Sequence, residues 1–314
     1  MTEPMIRATA VTKTFGKVTA LDRVSVEVPQ GTVLGLLGHN GAGKTTLVNI
    51  LSTMFPPTSG TASVAGFDVV AQPIEVRRRI GLTGQFASVD EDLTGTENLV
   101  LIARLLGAGR RAARLRAAEL LETFNLADAA GRPVKTYSGG MRRRLDLAAS
   151  LVGQPSMVFL DEPTTGLDPS ARVGMWEVVE GLVAGGTTIL LTTQYLDEAD
   201  RLADSITVLN KGRVVAQGTA AQLKAEVGQR TVAVSLEPGA DPWQAVEAIR
   251  RGGKQPVFDP ERNSITVPVL ASKELVTVVR ALDEAGIEPA GLALTEPTLD
   301  DVYLALTHSS PSAA

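Results

Sequence analysis

Apolar and polar positions follow two different rhythms along this chain. Val24 to Val28 alternates Val-Ser-Val-Glu-Val until Pro29 ends the run, which predicts a strand with one face buried. Val33 to Leu37 is a more continuous apolar run, as expected of a strand covered on both faces. Met157 to Leu160 and Thr188 to Leu191 have the same texture, and the three runs are expected at the centre of one sheet. Between Leu93 and Leu151 the pattern changes: Leu, Ala and Arg dominate and β-branched residues thin out. Within it, Ala113, Ala117, Leu120 and Phe124 share one face at helical spacing, so Arg111 to Phe124 is predicted as a helix. The stretch reads as a helical insertion of about residues 93–151 between strands. The arginine runs Arg77–Arg79 and Arg142–Arg144 read as solvated or paired helix faces. Strands alternating with helices predict an α/β fold around a largely parallel sheet.

The last part of the chain has its own order. Strands are predicted at Thr231–Leu236, Gln255–Phe258, Ser264–Val269 and Pro289–Leu294. Helices are predicted at Trp243–Arg251, Lys273–Ala285 and Leu299–Leu306. β-α-β-β-α-β with a closing helix is the split βαβ of a small α+β, ferredoxin-like domain. The expected division is 1–226, then 229–307, then a loose tail at 308–314, with the boundary near Glu226 to Gln229.

Composition narrows the class. At roughly 150 residues per domain, 314 residues suggest about two domains. With 44% hydrophobic residues the chain can bury a sizeable core. Having no cysteine excludes disulfides, thiolate metal sites and a thiol nucleophile. A net charge of −5 disfavours a dedicated nucleic-acid binder, which needs a basic footprint. No run reaches the ~18 to 20 apolar residues of a membrane span, and Glu3 and Pro4 stand where a signal peptide would need apolar residues. A soluble, cytoplasmic chain is expected.

Two segments carry candidate chemistry. Gly38-His39-Asn40-Gly41-Ala42-Gly43-Lys44-Thr45-Thr46 fits G-x-x-x-x-G-K-S/T, between the buried run ending at Leu37 and an amphipathic stretch. Glycines let the backbone curl so that successive N–H groups point at phosphates, and a helix N-terminus adds positive potential. Lys44 is expected to reach the β- and γ-phosphates and Thr45 to ligate Mg²⁺; the ring of His39 is read as incidental. The bland alternative is a glycine turn with an incidental lysine. The second segment is the apolar run from Met157 that ends in Asp161 and Glu162. Paired acids there suit a cation, with Asp161 as a Mg²⁺ ligand and Glu162 as general base toward water. Alternatively, the two acids only cap the following turn.

Tyr137-Ser138-Gly139-Gly140-Met141 lies between those two segments, before a predicted helix, and resembles the signature motif of ABC-transporter ATPase subunits. The order of motifs is similar to that family over about residues 5–225, which implies a P-loop ABC ATPase cassette with a mixed sheet core and a helical subdomain. Phe15 is placed like the family's adenine-stacking aromatic, Gln85 like its Q-loop glutamine contacting Mg²⁺ and water, and Gly166-Leu167-Asp168-Pro169 like its D-loop. Phe86 to Glu91, Tyr137 to Arg144, Thr192 to Asp200 and Pro297 to Leu306 narrow the resemblance to the daunorubicin/doxorubicin-resistance ATP-binding subunits. One position departs: Gln194 stands where the general family has a switch histidine, and glutamine can donate a hydrogen bond but cannot shuttle a proton.

The resemblance implies a nucleotide site of Phe15, Asn40 to Thr46, Gln85, Ser138, Gly139, Gly140 and Asp168, with Glu162, Lys44 and Gln194 in catalysis and Thr45, Gln85 and Asp161 toward the metal. It implies ATP with Mg²⁺, and a homodimer sandwiching two ATPs between one copy's glycine loop and the other's Ser138–Gly140. It also implies a separate integral membrane permease, docked on the segment from Phe86 to Leu99, and a peripheral place on the cytoplasmic membrane face. The function expected is powering efflux of a hydrophobic drug, antibiotic or secondary metabolite. An importer ATPase with a substrate-sensing C-terminal domain, or a soluble non-transport ABC ATPase, are the alternatives. Regulation or dimer stabilisation is the default expectation for the C-terminal domain.

Overall fold

The following elements belong to a computed structural model that describes residues 3–83, 89–227, 230–237, 239–260 and 263–308. β1 (Ile6–Phe15), β2 (Val18–Val28) and β3 (Val33–Leu37) lead into α1 (Lys44–Leu51); β4 (Ser59–Val64), β5 (Phe67–Asp68), α2 (Pro73–Arg77) and β6 (Ile80–Thr83) follow. α3 (Gly95–Leu105), α4 (Arg110–Thr123) and α5 (Gly139–Ser150) come next, then β7 (Met157–Asp161), α6 (Pro169–Ala184) and β8 (Thr188–Thr193). α7 (Leu196–Leu202), β9 (Ser205–Asn210) and β10 (Arg213–Gly218) complete this part, and α8 (Ala220–Val227) follows.

The three continuous apolar runs become neighbours in the middle of a six-stranded sheet of order β10-β9-β3-β8-β7-β6, parallel except for β10. Successive side chains of a strand point to opposite faces, and here both faces are covered. Met157, Phe159 and Leu190 join one core with α1 and a four-stranded antiparallel sheet of order β2-β1-β4-β5. Val158, Leu160, Ile189 and Leu191 join a second core with α3 to α6. Every residue of β3, β7 and β8 is therefore buried.

Among the described residues no strand lies between Thr83 and Met157, so the expected insertion is helical. Thr94 caps α3 with a reciprocal Glu97 bond. Gly95 packs against Tyr137: a Cβ there would lie 2.5 Å from the tyrosine hydroxyl, which itself donates to the Ala129 carbonyl at 2.7 Å.

Contacts divide the chain after Ala220. That lies ahead of the division expected near Glu226: α8 from Ala221 onward falls in the second unit, where Ala221 and Lys224 share a groove with Arg230 and Leu270. This unit comprises β11 (Arg230–Leu236), α9 (Pro242–Arg251), β12 (Val257–Asp259), β13 (Ser264–Val269), α10 (Leu275–Glu284), β14 (Pro289–Thr295) and α11 (Leu299–His308). Its sheet order is β12-β13-β11-β14, wholly antiparallel, so the β11–α9–β12 crossover is split by β13. Val232, Val234, Ile265 and Val267 alternate onto one face and meet Val246, Ile249, Val278 and Leu282 of α9 and α10. The tail expected from residue 308 lies, beyond His308, outside the described residues.

Candidate active site

The carboxyl ends of β3, β8 and β7 stand level, with Leu37 opposite Thr193 and Asp161 opposite Thr192. Ligands of open parallel sheets bind at such ends. The glycine loop leaves β3, Gln194 leaves β8 and Glu162 leaves β7, so three predicted features emerge side by side from one edge.

Gly43 caps α1 with φ +111°, and a Cβ there would meet the Leu21 side chain at 2.7 Å and the Ala20 carbonyl at 2.8 Å. Only glycine lets the loop approach the β1–β2 hairpin this closely. The loop also binds the turn between β9 and β10: the Gly212 N–H donates to the Ala42 carbonyl at 2.9 Å, and the Gly212 carbonyl accepts from Asp22 at 2.8 Å. Lys44 is only 4% exposed. Its Nζ donates to the Gly38 carbonyl at 2.6 Å and lies 3.5 Å from Oε1 of Glu162. A buried ammonium held at the mouth of a glycine loop, on a helix N-terminus, suits a polyphosphate.

That mouth is a cleft of about 650 Å³. Phe15, Asn40, Gly41, Gly43, Lys44, Thr45, Thr46 and Glu162 all line it. Phe15 is half exposed and stands edge-on to Phe55 at 5.5 Å, with the Lys13 ammonium 5.2 Å from its ring centre. His39, read as incidental, also lines the cleft, as do Lys211 and Gly212, which sequence reasoning missed. Lys211-Gly212 reads in sequence as a hairpin turn. Nothing local says that it lands beside a loop some 170 residues earlier, which follows from β9 pairing with β3.

Other predicted residues lie elsewhere. Ala42 is buried behind the loop, its N–H donating to the His39 carbonyl. Asp161 is buried at the end of β7 and accepts from the Thr192 hydroxyl at 2.5 Å. Gln194 is exposed at the turn after β8 and does not line the cleft. Ser138 caps α5, accepting from Met141 N–H at 3.3 Å, and Asp168 caps α6, accepting from Ala171 N–H at 2.9 Å. A Cβ on Gly140 would be 3.1 Å from the Ala171 methyl, so these two helix N-termini are neighbours, and neither lines the cleft. Gln85 and residues 86–88 lie outside the described residues.

Glu162 has φ +50°, a left-handed conformation that costs a non-glycine residue about 1–3 kcal/mol. It is held on both sides. Its N–H donates to the Thr192 carbonyl at 3.0 Å and hydroxyl at 3.1 Å, and Arg143 of α5 donates to its carbonyl at 2.9 Å. Burial pushes the Arg143 guanidinium pKa down, while Asp146, Asp161, Glu198 and Glu162 push it back up. Behind this turn Glu198 of α7 is fully buried and accepts from the Trp176 indole at 3.3 Å. Burial raises its carboxyl pKa, against the Trp176 indole, the nearby Thr193 and Thr164 hydroxyls and the charge of Arg172.

Comparison with known proteins agrees with this geometry. The family profile described as ABC transporter matches residues 21–165. The daunorubicin resistance ATP-binding protein DrrA3 of Streptomyces coeruleorubidus is 52% identical over 308 residues, covering 98% of this chain and 97% of that one. The daunorubicin/doxorubicin resistance ATP-binding protein DrrA of Streptomyces peucetius is 46% identical over 303 residues, covering 96% and 92%. Among solved structures, a dimeric ATP-binding cassette in a post-hydrolysis state with ADP and phosphate is 25% identical with a TM-score of 0.62, covering 68% of this chain and 98% of that chain. Its coverage leaves room for the second unit seen here. The chain thus belongs to the ABC transporter family, as an ATP-hydrolysing, ATP-binding subunit of the daunorubicin/doxorubicin-resistance kind.

Proposed function

We propose that this subunit powers the efflux of a hydrophobic drug, antibiotic or secondary metabolite through a separate integral membrane permease, to which it docks on the cytoplasmic membrane face. Among the described residues no helix is long and apolar enough to cross a membrane, so the transport path needs another chain. The observation that carries the reading is near-full-length similarity to resistance proteins, which extends through the second unit and past the cassette.

In this reading ATP lies in the cleft with its base on Phe15 and its phosphates on Lys44, Thr46 and the loop amides from Asn40 to Thr45. Lys44 stabilises charge that develops on the transferred phosphoryl group. Glu162, 3.5 Å from Lys44, takes the proton of the attacking water, and Gln194 senses the γ-phosphate by hydrogen bonding. Among the described residues no three His, Cys, Asp or Glu side chains cluster as a metal cage. The Thr45 hydroxyl, the Asp161 carboxylate and the Gln85 amide are hard oxygen donors that suit Mg²⁺ completed by phosphate oxygens. When bound, Mg²⁺ supplies charge neutralisation at the phosphates.

Ser138, Gly139, Gly140 and Asp168 do not line the chain's own cleft, which suits them to the nucleotide of a second copy. Two copies related by a two-fold axis then bury two ATPs, and closure lasts as long as the γ-phosphates bridge them. Substrate efflux in cells expressing the chain with its membrane partner tests the proposal. Efflux is expected with wild type and lost with Glu162→Gln; efflux that survives in the variant overturns it.

A further inference from the structure

The Arg142–Arg144 run does three different things. Arg142 pairs with Glu91, and Arg144 donates to the Phe124 carbonyl. Arg143 turns inward, and its guanidinium donates to three consecutive carbonyls at 2.9 Å: Nη2 to Asp161 and Glu162, Nε to Pro163. These carbonyls bracket Glu162, whose left-handed backbone persists only where its surroundings over-determine it. Thr192 holds the N–H side and Arg143 holds the carbonyl side. A guanidinium is a rigid planar fork, so its three bonds set the turn relative to α5.

We propose that Arg143 is a positioning residue: it sets the hydrolytic carboxylate of Glu162 and ties it to the N-terminus of α5, so that engagement of Ser138–Gly140 is transmitted to Glu162. Arg143 lies one helical turn beyond Gly140 on the same helix. Any shift of that helix end moves the fork and, through it, the three carbonyls. The transmission half rests on the ATP-sandwich reading above. The positioning half needs no second copy: it rests on the geometry within this chain and on Glu162 as the base, as proposed above.

The test compares the full chain with Arg143→Lys, Arg143→Gln and Arg143→Ala. ATPase kcat and KM, affinity for a fluorescent ATP analogue, the Hill coefficient for ATP and Tm are measured for each. Lysine has one ammonium and cannot span three carbonyls. A misplaced base slows turnover on the order of 10- to 100-fold, so kcat is expected to fall that far in all three, least with lysine. Analogue affinity, set at the glycine loop, is expected to stay within about twofold, since Arg143 makes no contact with nucleotide in this scheme. Cooperativity is expected to fall with kcat. Unchanged kcat in the lysine and glutamine variants overturns the proposal. So does a loss of kcat that merely follows lost affinity and lost Tm, or a failure of all three variants to fold. A wild type that hydrolyses ATP without cooperativity refutes the sandwich and hence the transmission, while the split between kcat and affinity still decides the positioning role.

Discussion

The Lys44 ammonium and the Glu162 carboxylate lie 3.5 Å apart although they leave β3 and β7, which are separated in the sheet by β8. Lysine is 4% and glutamate 12% exposed, so the pair is sheltered from solvent screening. The cation of the glycine loop and the proposed base thus form one sheltered ion pair. Glu162→Gln keeps the shape and removes the base. Loss of general-base catalysis is expected to lower kcat by about 10²–10⁴-fold. ATP binding should persist, because Lys44 keeps its bond to Gly38. A radiolabelled-phosphate release assay beside an ATP-binding assay checks both. Equal loss of binding and turnover contradicts the assignment.

Gly212 is where the second hairpin reaches the glycine loop. Its φ is +77°, and a Cβ would sit 2.6 Å from the Ala20 carbonyl. Gly212→Ala is therefore expected to destabilise the protein by about 1–3 kcal/mol and to weaken ATP binding as the Ala42 contact shifts. Thermal melts with and without ATP measure the two effects. A wild-type melt and affinity in the variant refute the close-packing argument.

Gln194 follows β8, the strand that lies between β3, which leads to Lys44, and β7, which leads to Glu162. As a polar sensor it should tolerate histidine, which also donates a hydrogen bond. Gln194→His is expected to keep kcat within a few fold of wild type, while Gln194→Ala lowers it about tenfold or more, the effect of one lost polar contact. Hydrolysis at the wild-type rate by the alanine variant removes Gln194 from the mechanism.

Glu198 gives the fold a pH dependence of known sign. Its carboxyl titrates above the ordinary 4.5 chiefly because it is buried. Between 4.5 and that raised value the folded state keeps a proton that the unfolded chain has lost. Stability from this group is present below 4.5, falls as pH rises through the window and stays lower above it. Glu198→Gln can still accept from Trp176 and has no proton to lose. Melts in steps from pH 4.5 upward are expected to show the variant gaining on wild type as pH rises. A difference in Tm that does not change with pH rules out the shift.

Much of the site was legible in residue order because it is local. A glycine loop that curls around phosphates needs its glycines, lysine and hydroxyl within nine adjacent positions, Gly38 to Thr46, and the strand before it must be apolar throughout to lie buried. The same holds for Met157 to Glu162 and for the caps Ser138 and Asp168, whose side chains bond N–H groups three residues on. Arg143 could not be read this way. In sequence it is one of three arginines on a helix, and only the packing of α5 against the end of β7 brings its fork onto three carbonyls. Lys211 and Gly212 are likewise an ordinary turn until β9 pairs with β3. Residue order by itself determined which short segments could meet phosphate, because backbone curl and capping act over a few residues. Tertiary structure alone decided that Lys44 faces Glu162, that Arg143 holds it and that Ser138–Gly140 do not line the chain's own cleft, because strand order, not sequence distance, sets which segments meet.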